Sequence, residues 1–370
     1  MEKKELINRI RLINSENIGP ITFYRMLRKF GSAAEALSNL PERSRTFTER
    51  QAAAEIERAD AQGIRLLTPE DKLYPESLRQ LNDVPPILYV RGNAELLNHP
   101  LSVSVVGARN ASVNGRKLAS RLAYDLTDND VLIISGMARG IDSAAHKGAM
   151  YAKKQNGPTV AVLGTGVDVP YPSENRELYE QIAAQGAIVS ELPLGTKPQA
   201  NNFPRRNRIV AALSSGTLVV EANLNSGSLI TARLALEQSR EIFAVPGSPL
   251  DGRSLGTNKL IKEGAVLVES YEDVLTNLNL STGRAIRPLP AARELELFDK
   301  PLDKVKNNAD IPQKKTAPLT EFLTYDGVYV DELIRSSGLS AAELSVALLE
   351  LEMDNKIERQ PGNKVALIKR

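Results

Sequence analysis

"SVSVVGARNASVNGRKLASRLAYDLTDNDVLIISG", Ser102 to Gly136, begins and ends on runs that are apolar at nearly every position. Between those runs, Leu118, Leu122 and Leu126 recur at helical spacing. A strand that is apolar on both faces belongs in a sheet covered on both sides, and the sheets built that way are parallel. The stretch therefore reads as strand, crossover helix and parallel strand. The alternation continues through "PTVAVLG", "AIVSE", "GTLVVEA", "EIFAVPG" and "AVLV", each followed by ten or more residues of helical pattern, to about Asn277. The fold class that follows is α/β, an extended Rossmann-like doubly wound parallel sheet, whose ligands bind beyond the carboxyl ends of the strands. The preceding "GIRLLTPEDKLYPESLRQLNDVPPILYVRGN" holds two more strand-like runs and extends the same domain.

At 370 residues the chain exceeds one comfortable core and is expected to form two or three domains. Residues 1–66 read as a small all-helical domain, broken at Ile18-Gly19-Pro20 in the manner of a helix-hairpin-helix module. The plainer reading of that piece is a helical bundle for packing or partner binding. Residues 67–280 form the Rossmann-like domain, and residues 281–316, rich in proline and scattered charge, read as a flexible linker. Residues 317–370 offer three helices and a hairpin around Pro361-Gly362-Asn363, the pattern of a winged helix. Its third helix carries Glu343, Glu350, Glu352 and Asp354, which would repel phosphate, so a protein-contact role is expected there rather than groove reading.

Composition removes several chemistries. There is no cysteine, and only His99 and His146 could supply imidazole, so no metal and no cofactor are expected. No apolar run approaches a membrane span and the chain does not open on a signal-peptide pattern, which predicts a cytoplasmic protein without a membrane partner. The net charge of +2 says little by itself, because local clustering of charge makes a nucleic-acid footprint.

Such clusters sit at the strand ends. Gly107, Gly136, Gly164 and Gly166 close successive strands, where a backbone turns sharply or comes close to a ligand and a helix N-terminus follows to attract anions. "GARNAS" places Arg109 and Ser112 there, "SGMARGID" places Arg139 and Gly140, and "NSGSLITA" offers Gly227, Ser228 and Thr231. The plain alternative is that the glycines only permit tight turns and the arginines face water. Three such loops on one sheet edge favour phosphate. Neither G-x-G-x-x-G nor G-x-x-x-x-G-K-[ST] is present, which weakens dinucleotide and ATP readings. "NNFPRRNRIVAAL" adds an aromatic, Phe203, among Asn201, Asn202, Asn207, Arg205, Arg206 and Arg208, at a helix start marked by Pro204. Aromatic plus guanidinium is the arrangement of single-strand binders, in which bases stack and phosphates are neutralised. Phe203 could instead staple its own helix, and the arginines could form a solvated face. Glu191 and Glu221, at strand ends, are candidate proton acceptors or partners for those arginines, and His146 reads as a packed, hydrogen-bonded histidine.

Taken together, "GARNAS", "SGMARGIDSAAH", "TVAVLGTGVDVPYPSEN", "SELPLGTKP", "FPRRNRIVA", "EANLNSGSLITA", "EIFAVPGS" and "GTNKLIKEGAVLV" closely resemble the bacterial DNA-processing protein A family (DprA, also called Smf) over about Val103 to Val268. The resemblance implies a non-enzymatic protein that binds single-stranded DNA, protects incoming strands in natural transformation, and loads the RecA recombinase while displacing single-strand-binding protein. It implies a homodimer formed through the Rossmann domain. Carried over by position, it assigns DNA contact to Arg109, Arg139 and the F-P-x-R-N-R residues Phe203, Pro204, Arg206, Asn207 and Arg208; Arg205 occupies the variable position. The sequence departs from the family at Ala108, where serine or threonine is usual, and at Ala212, where glycine is common.

Two rival readings stand beside it. A phosphoribohydrolase-type nucleotide enzyme would share the Rossmann domain, but its P-G-G-x-G-T-x-x-E motif is replaced here by "EANLNSGSLITA". A scaffold with vestigial phosphate pockets would capture partners without binding DNA.

Overall fold

The computed structural model describes residues 2–41, 44–153 and 159–281, and in the C-terminal part 323–324, 327–337, 344, 347–348, 351–352, 356–360 and 364–368. The chain divides into two compact units, Met1–Ala292 and Arg293–Arg370.

The first unit opens with four helices, α1 (Lys3–Ile13), α2 (Pro20–Phe30), α3 (Ala33–Ser38) and α4 (Glu49–Ala61). Gly19 and Pro20 do what the sequence suggested: Gly19 is the N-cap and Pro20, with its φ already helical and no amide to satisfy, is the first residue of α2. A full capping box between Thr48 and Gln51 starts α4. The helices are not a detached bundle, because Ile10 of α1 and Ala52, Ile56 and Ala59 of α4 share one core with Tyr89, Ala161 and Ile188 of the sheet.

The sheet has nine strands. In chain order the elements are β1 (Ile64–Leu67), α5 (Glu76–Arg79), β2 (Leu88–Gly92), β3 (Ser102–Val106), α6 (Val113–Asp128), β4 (Leu132–Ser135), α7 (Ile141–Met150), β5 (Thr159–Val162), α8 (Arg176–Gln185), β6 (Ala187–Ser190), α9 (Asn202–Ala212), β7 (Gly216–Val219), α10 (Gly227–Glu237), β8 (Glu241–Ala244), α11 (Leu255–Lys262), β9 (Val266–Leu267) and α12 (Tyr271–Ser281). Their spatial order is β1-β2-β6-β5-β4-β3-β7-β8-β9. From β6 to β9 every pairing is parallel, with Val103 level with Ile133 on one side and Gly216 on the other. Only the β1–β2 and β2–β6 pairings are antiparallel, and they extend the sheet past β6.

The two-sided burial has a direct cause in the pleat. Val103 and Val105 point to the layer holding Leu122 and Leu126 of α6 and Ala145 of α7, whereas Val106 points to the opposite layer with Ile209 and Val210 of α9 and Ala235 of α10. The winding reverses between β3 and β7. Such a switch point opens a crevice beyond the strand ends, because the loops on its two sides lead to helices on opposite faces.

The second unit contains β10 (Val328–Tyr329), α13 (Val330–Ser337), β11 (Ile357–Gln360) and β12 (Lys364–Leu367), with Arg359 opposite Val365 in the hairpin. Leu323, Leu333, Leu344, Leu348, Ile357 and Val365 form its own core. The short strand β10 was not foreseen. Of the expected first helix of this unit only Leu323 and Thr324 are described, and neither is helical; three of the four acidic positions, Glu343, Glu350 and Asp354, lie outside the described residues, as do residues 282–316 of the expected linker. Among the described residues no helix is long and apolar enough to cross a membrane, and no three His, Asp or Glu side chains cluster as metal ligands.

Candidate nucleic-acid interface

A cleft of about 1400 Å³ opens at the switch point. It is lined by the loop after β3 (Gly107, Arg109, Asn110), by α9 (Phe203, Arg206, Asn207), by the loop after β7 and the start of α10 (Asn223 to Ser228, Thr231), and by Tyr171 and Arg253. The N-terminus of the eleven-residue α10 lies in its wall, where Ser226 caps the helix by accepting from the Ser228 amide. The positive end of a helix dipole at a cleft favours an anion.

Three side chains give the cleft its aromatic character. The rings of Tyr171 and Phe203 lie 5.4 Å apart at 39°, and the Arg109 guanidinium stands 5.4 Å from the centre of the Phe203 ring. Phe203 is half-buried, Tyr171 is 40% exposed and Arg109 is exposed. A planar cation beside a partly exposed aromatic pair offers one group for a phosphate and one face for a base.

Two of the three arginines of "FPRRNR" face inward. Arg206 is 6% exposed; its Nη1 donates to the Gly136 carbonyl at 2.7 Å and to the Val162 carbonyl, and its Nε donates to Asn207 Oδ1 at 3.3 Å. A Cβ on Gly136 would stand 2.4 Å from that guanidinium, so this strand-end glycine makes room for an arginine and not for a ligand. Burial lowers Arg206 to about 10, and burial raises the nearby Asp142 carboxyl to about 6. Arg208, 7% exposed, is bracketed by Asp83 at 2.9 Å and by Glu191. Glu191 is thus an arginine's partner, and burial pushes its carboxyl up. The expectation that Arg206 and Arg208 meet phosphate directly gives way to an internal role: they tie α9 to the ends of β4 and β5 and to the segment before β2. Arg205 is the exposed arginine of the trio.

Ser112 and Glu221 correct a second expectation. The Ser112 amide donates to Glu221 Oε2 at 2.9 Å, the Ser112 hydroxyl donates to Oε1 at 2.6 Å, and the same hydroxyl accepts from the Gly115 amide at 2.8 Å. A carboxylate of the protein itself therefore occupies the anion position at the start of α6. Ser112 is spent on that carboxylate and on capping, and Glu221 is held by two hydrogen bonds from Ser112.

The remaining expected contacts divide. Gly107, Gly136, Gly227, Ser228, Thr231 and Asn207 line the cleft together with Arg109 and Phe203. Gly140 does not: its φ of 81° and the Ala108 carbonyl, 2.2 Å from where a Cβ would sit, make it a turn glycine that lets the loops after β3 and β4 touch. Gly164 backs the Phe203 ring, and Gly166 packs against Asp168 and Pro193. Arg139 is exposed and loosely paired with Glu174 at 3.5 Å, outside the cleft lining, as are Asn201, Asn202 and Arg205. Tyr171, Asn110, Asn223, Asn225 and Arg253 were missed as lining residues. The "PYP", "EANLN" and "GARNAS" segments carried a signal for four of them by position after a strand; Arg253 had none. His146 is buried and held neutral, lowered by burial to about 3. Thr159 Oγ1 gives its proton to the Ile133 carbonyl, so His146 Nδ1, 2.7 Å away, is the donor to Thr159.

Comparison with known proteins places this geometry in a family. Residues 65–279 match the family model described as DNA recombination-mediator protein A. Residues 3–62 match a DprA-like N-terminal HHH domain, and residues 306–363 match a DprA winged helix domain. Protein Smf of Escherichia coli is 39% identical over 306 residues, covering 82% of this chain and 77% of its own. The DNA processing protein DprA of Streptococcus pneumoniae is 46% identical over 205 residues, 55% of this chain and 71% of the relative. The X-ray structure of that pneumococcal protein superposes with a TM-score of 0.61 at 34% identity, covering 75% of this chain and 98% of it. DNA processing protein A of Helicobacter pylori, described for its unique single-stranded DNA binding mode, superposes with a TM-score of 0.53 at 31% identity, over 59% and 97% of the two chains.

Proposed function

The chain belongs to the DNA recombination-mediator protein A family, and on that premise we propose that it binds single-stranded DNA in the switch-point cleft, protects incoming strands and loads RecA recombinase onto them in place of single-strand-binding protein during natural transformation. The observation that carries the DNA reading is the group formed by Tyr171, Phe203 and Arg109 in a wide cleft walled by the α10 N-terminus. Bases stack on Phe203 and Tyr171. Phosphates meet Arg109, the amides of Gly227 and Ser228, and the Thr231 hydroxyl, with Arg139 and Arg205 as flanking cations. Arg206 and Arg208 act from beneath by holding α9. We place the protein in the cytoplasm as a homodimer through the Rossmann domain, without enzymatic activity. The engagement of Glu221 by Ser112 supports the last point, because the one carboxylate that a phosphoribohydrolase-type reaction would call on is occupied.

The test is fluorescence anisotropy of a labelled single-stranded oligonucleotide titrated at several salt concentrations. About three neutralised phosphates give a slope of log affinity on log salt near −2. Phe203→Ala lowers affinity roughly ten- to a hundredfold, the range for loss of one stacking platform. Arg109→Ala flattens the slope by about 0.7. Binding that ignores salt and survives both substitutions overturns the assignment.

A further inference from the structure

A second concave surface lies beside the cleft, and the proposed function does not use it. It is a groove of about 610 Å³ between α6 and α7. These helices follow β3 and β4 and run side by side, so closely that a Cβ on Gly148 would stand 1.9 Å from the Ser120 carbonyl. Arg116, Lys117 and Arg121 come from α6, Lys147 from α7, and all four are exposed. Tyr124 and Tyr151 complete it, Tyr151 being 78% exposed. No carboxylate lines the groove among the described residues, and beside it the Asp125 carboxylate pairs with Arg121 at 3.7 Å. A surface built merely for solubility mixes both signs of charge and keeps aromatics out of water; the groove lining carries positive charge alone and exposes Tyr151.

The groove is continuous with the cleft. Asn110 lines the cleft and Val113 lines the groove, three residues apart around the start of α6; Asp142 lines one and Ser143 the other at the start of α7. From that shared edge the cations follow α6 for about two turns, ending at the tyrosines. We infer that the α6–α7 groove is a second segment of the single-strand path, in which Lys117, Lys147, Arg116 and Arg121 track phosphates leaving the cleft and Tyr151 stacks on a base. Tracking cations with interleaved aromatics suit a flexible polyanion that carries π-faces. An acidic peptide would satisfy the charges and leave the tyrosines without a partner.

This inference rests on the cleft binding single-stranded DNA, and oligonucleotide length separates the two. Anisotropy is measured with oligothymidylates of about 6, 12 and 20 nucleotides, which span ordinary single-strand site sizes. The proteins are wild type, Lys117→Ala/Lys147→Ala, Tyr151→Ala and Phe203→Ala. The shortest oligonucleotide fills the cleft, so the lysine pair variant and Tyr151→Ala bind it within about twofold of wild type, while Phe203→Ala does not. With the longest, each groove variant loses about tenfold, and the lysine pair variant shows a salt slope shallower by about 1.4, two phosphates at 0.7 each. If the groove variants match wild type at every length while Phe203→Ala is defective, the groove is not on the path and the cleft reading stands. If wild type binds none of the oligonucleotides, both fail. Retained length dependence together with loss of binding to poly-glutamate in the lysine pair variant identifies the groove as an acidic-peptide site and overturns the inference.

Discussion

The consecutive arginines Arg205 and Arg206 carry the same charge and do different things, because successive helical residues point about 100° apart. Arg206 reaches under the sheet edge to two backbone carbonyls; Arg205 faces solvent. Arg206→Ala leaves those buried acceptors unpaired and opens a gap beside Gly136, at a cost of roughly 2 to 4 kcal/mol. Chemical denaturation of this variant is expected to show a clear loss of stability. Arg205→Ala stays within about 0.5 kcal/mol of wild type by the same measurement, and its effect falls on DNA affinity instead. Equal stability of the two variants contradicts this division of labour. Asp142 supplies a pH dependence. Its folded carboxyl titrates near 6, above its ordinary 3.8, because burial penalises the charge. The folded state therefore holds that proton more tightly than the unfolded chain. Asp142 contributes most stability below about pH 4, and this contribution is lost as pH rises through 6. The unfolding free energy of wild type should fall relative to that of Asp142→Asn from pH 4 to 6 and the two should run level above 7; a flat difference throughout contradicts the titration.

At the level of elements, the notable helix start is that of α6. In many doubly wound folds the first crossover helix presents its amides to a ligand phosphate; here Glu221 fills that position. Glu221→Gln removes a charge from the helix N-terminus and replaces one acceptor oxygen with a donor that faces the Ser112 group. The expected destabilisation is about 1 to 3 kcal/mol, from a lost charge-assisted hydrogen bond and the dipole term together. Single-strand affinity should change less than about threefold. If the substitution instead abolishes release of base from a nucleoside monophosphate, the protein is an enzyme and Glu221 its base. The element scale also shows where sequence is informative. β3, β4, β5 and β7 were legible because burial on both faces leaves Val103, Ile133, Val160 and Leu218 no polar alternative. The Arg208–Glu191 pair, 17 positions apart, was legible as one alternative, but the inward turn of Arg206 was not, because its acceptor Gly136 is 70 positions off, and neither was the contact of Arg208 with Asp83 in the segment before β2. Charge patterns reveal that a helix is basic; only packing decides which cations are spent inside. Ser112 misled for the same reason, its acceptor being 109 residues away.

For the whole molecule, the division into two units with separate cores makes a prediction about where binding resides. The cleft, the α6–α7 groove and the helices α1 to α4 all belong to Met1–Ala292, and α1 and α4 are built into the core of the sheet. Leu323, Leu333, Leu348 and Val365 close the second unit's core upon itself. Stopping the chain at Ala292 should thus leave thermal unfolding of the first unit nearly unchanged and keep single-strand affinity within about twofold, whereas removing residues 2–62 exposes Tyr89, Leu163 and Ile188 and should abolish folding. The contrast matters because both ends look like accessory domains in the sequence. One is a wall of the sheet's core and the other has a core of its own, and hydropathy could not tell them apart, since Ile10 and Leu333 are equally apolar and each lies on one face of a short helix. The two truncations are compared by calorimetry first and by anisotropy second. A C-terminal truncation that folds but loses single-strand binding by tenfold or more would mean that the winged helix takes part in holding the strand, and the location of the site in the first unit alone would be wrong.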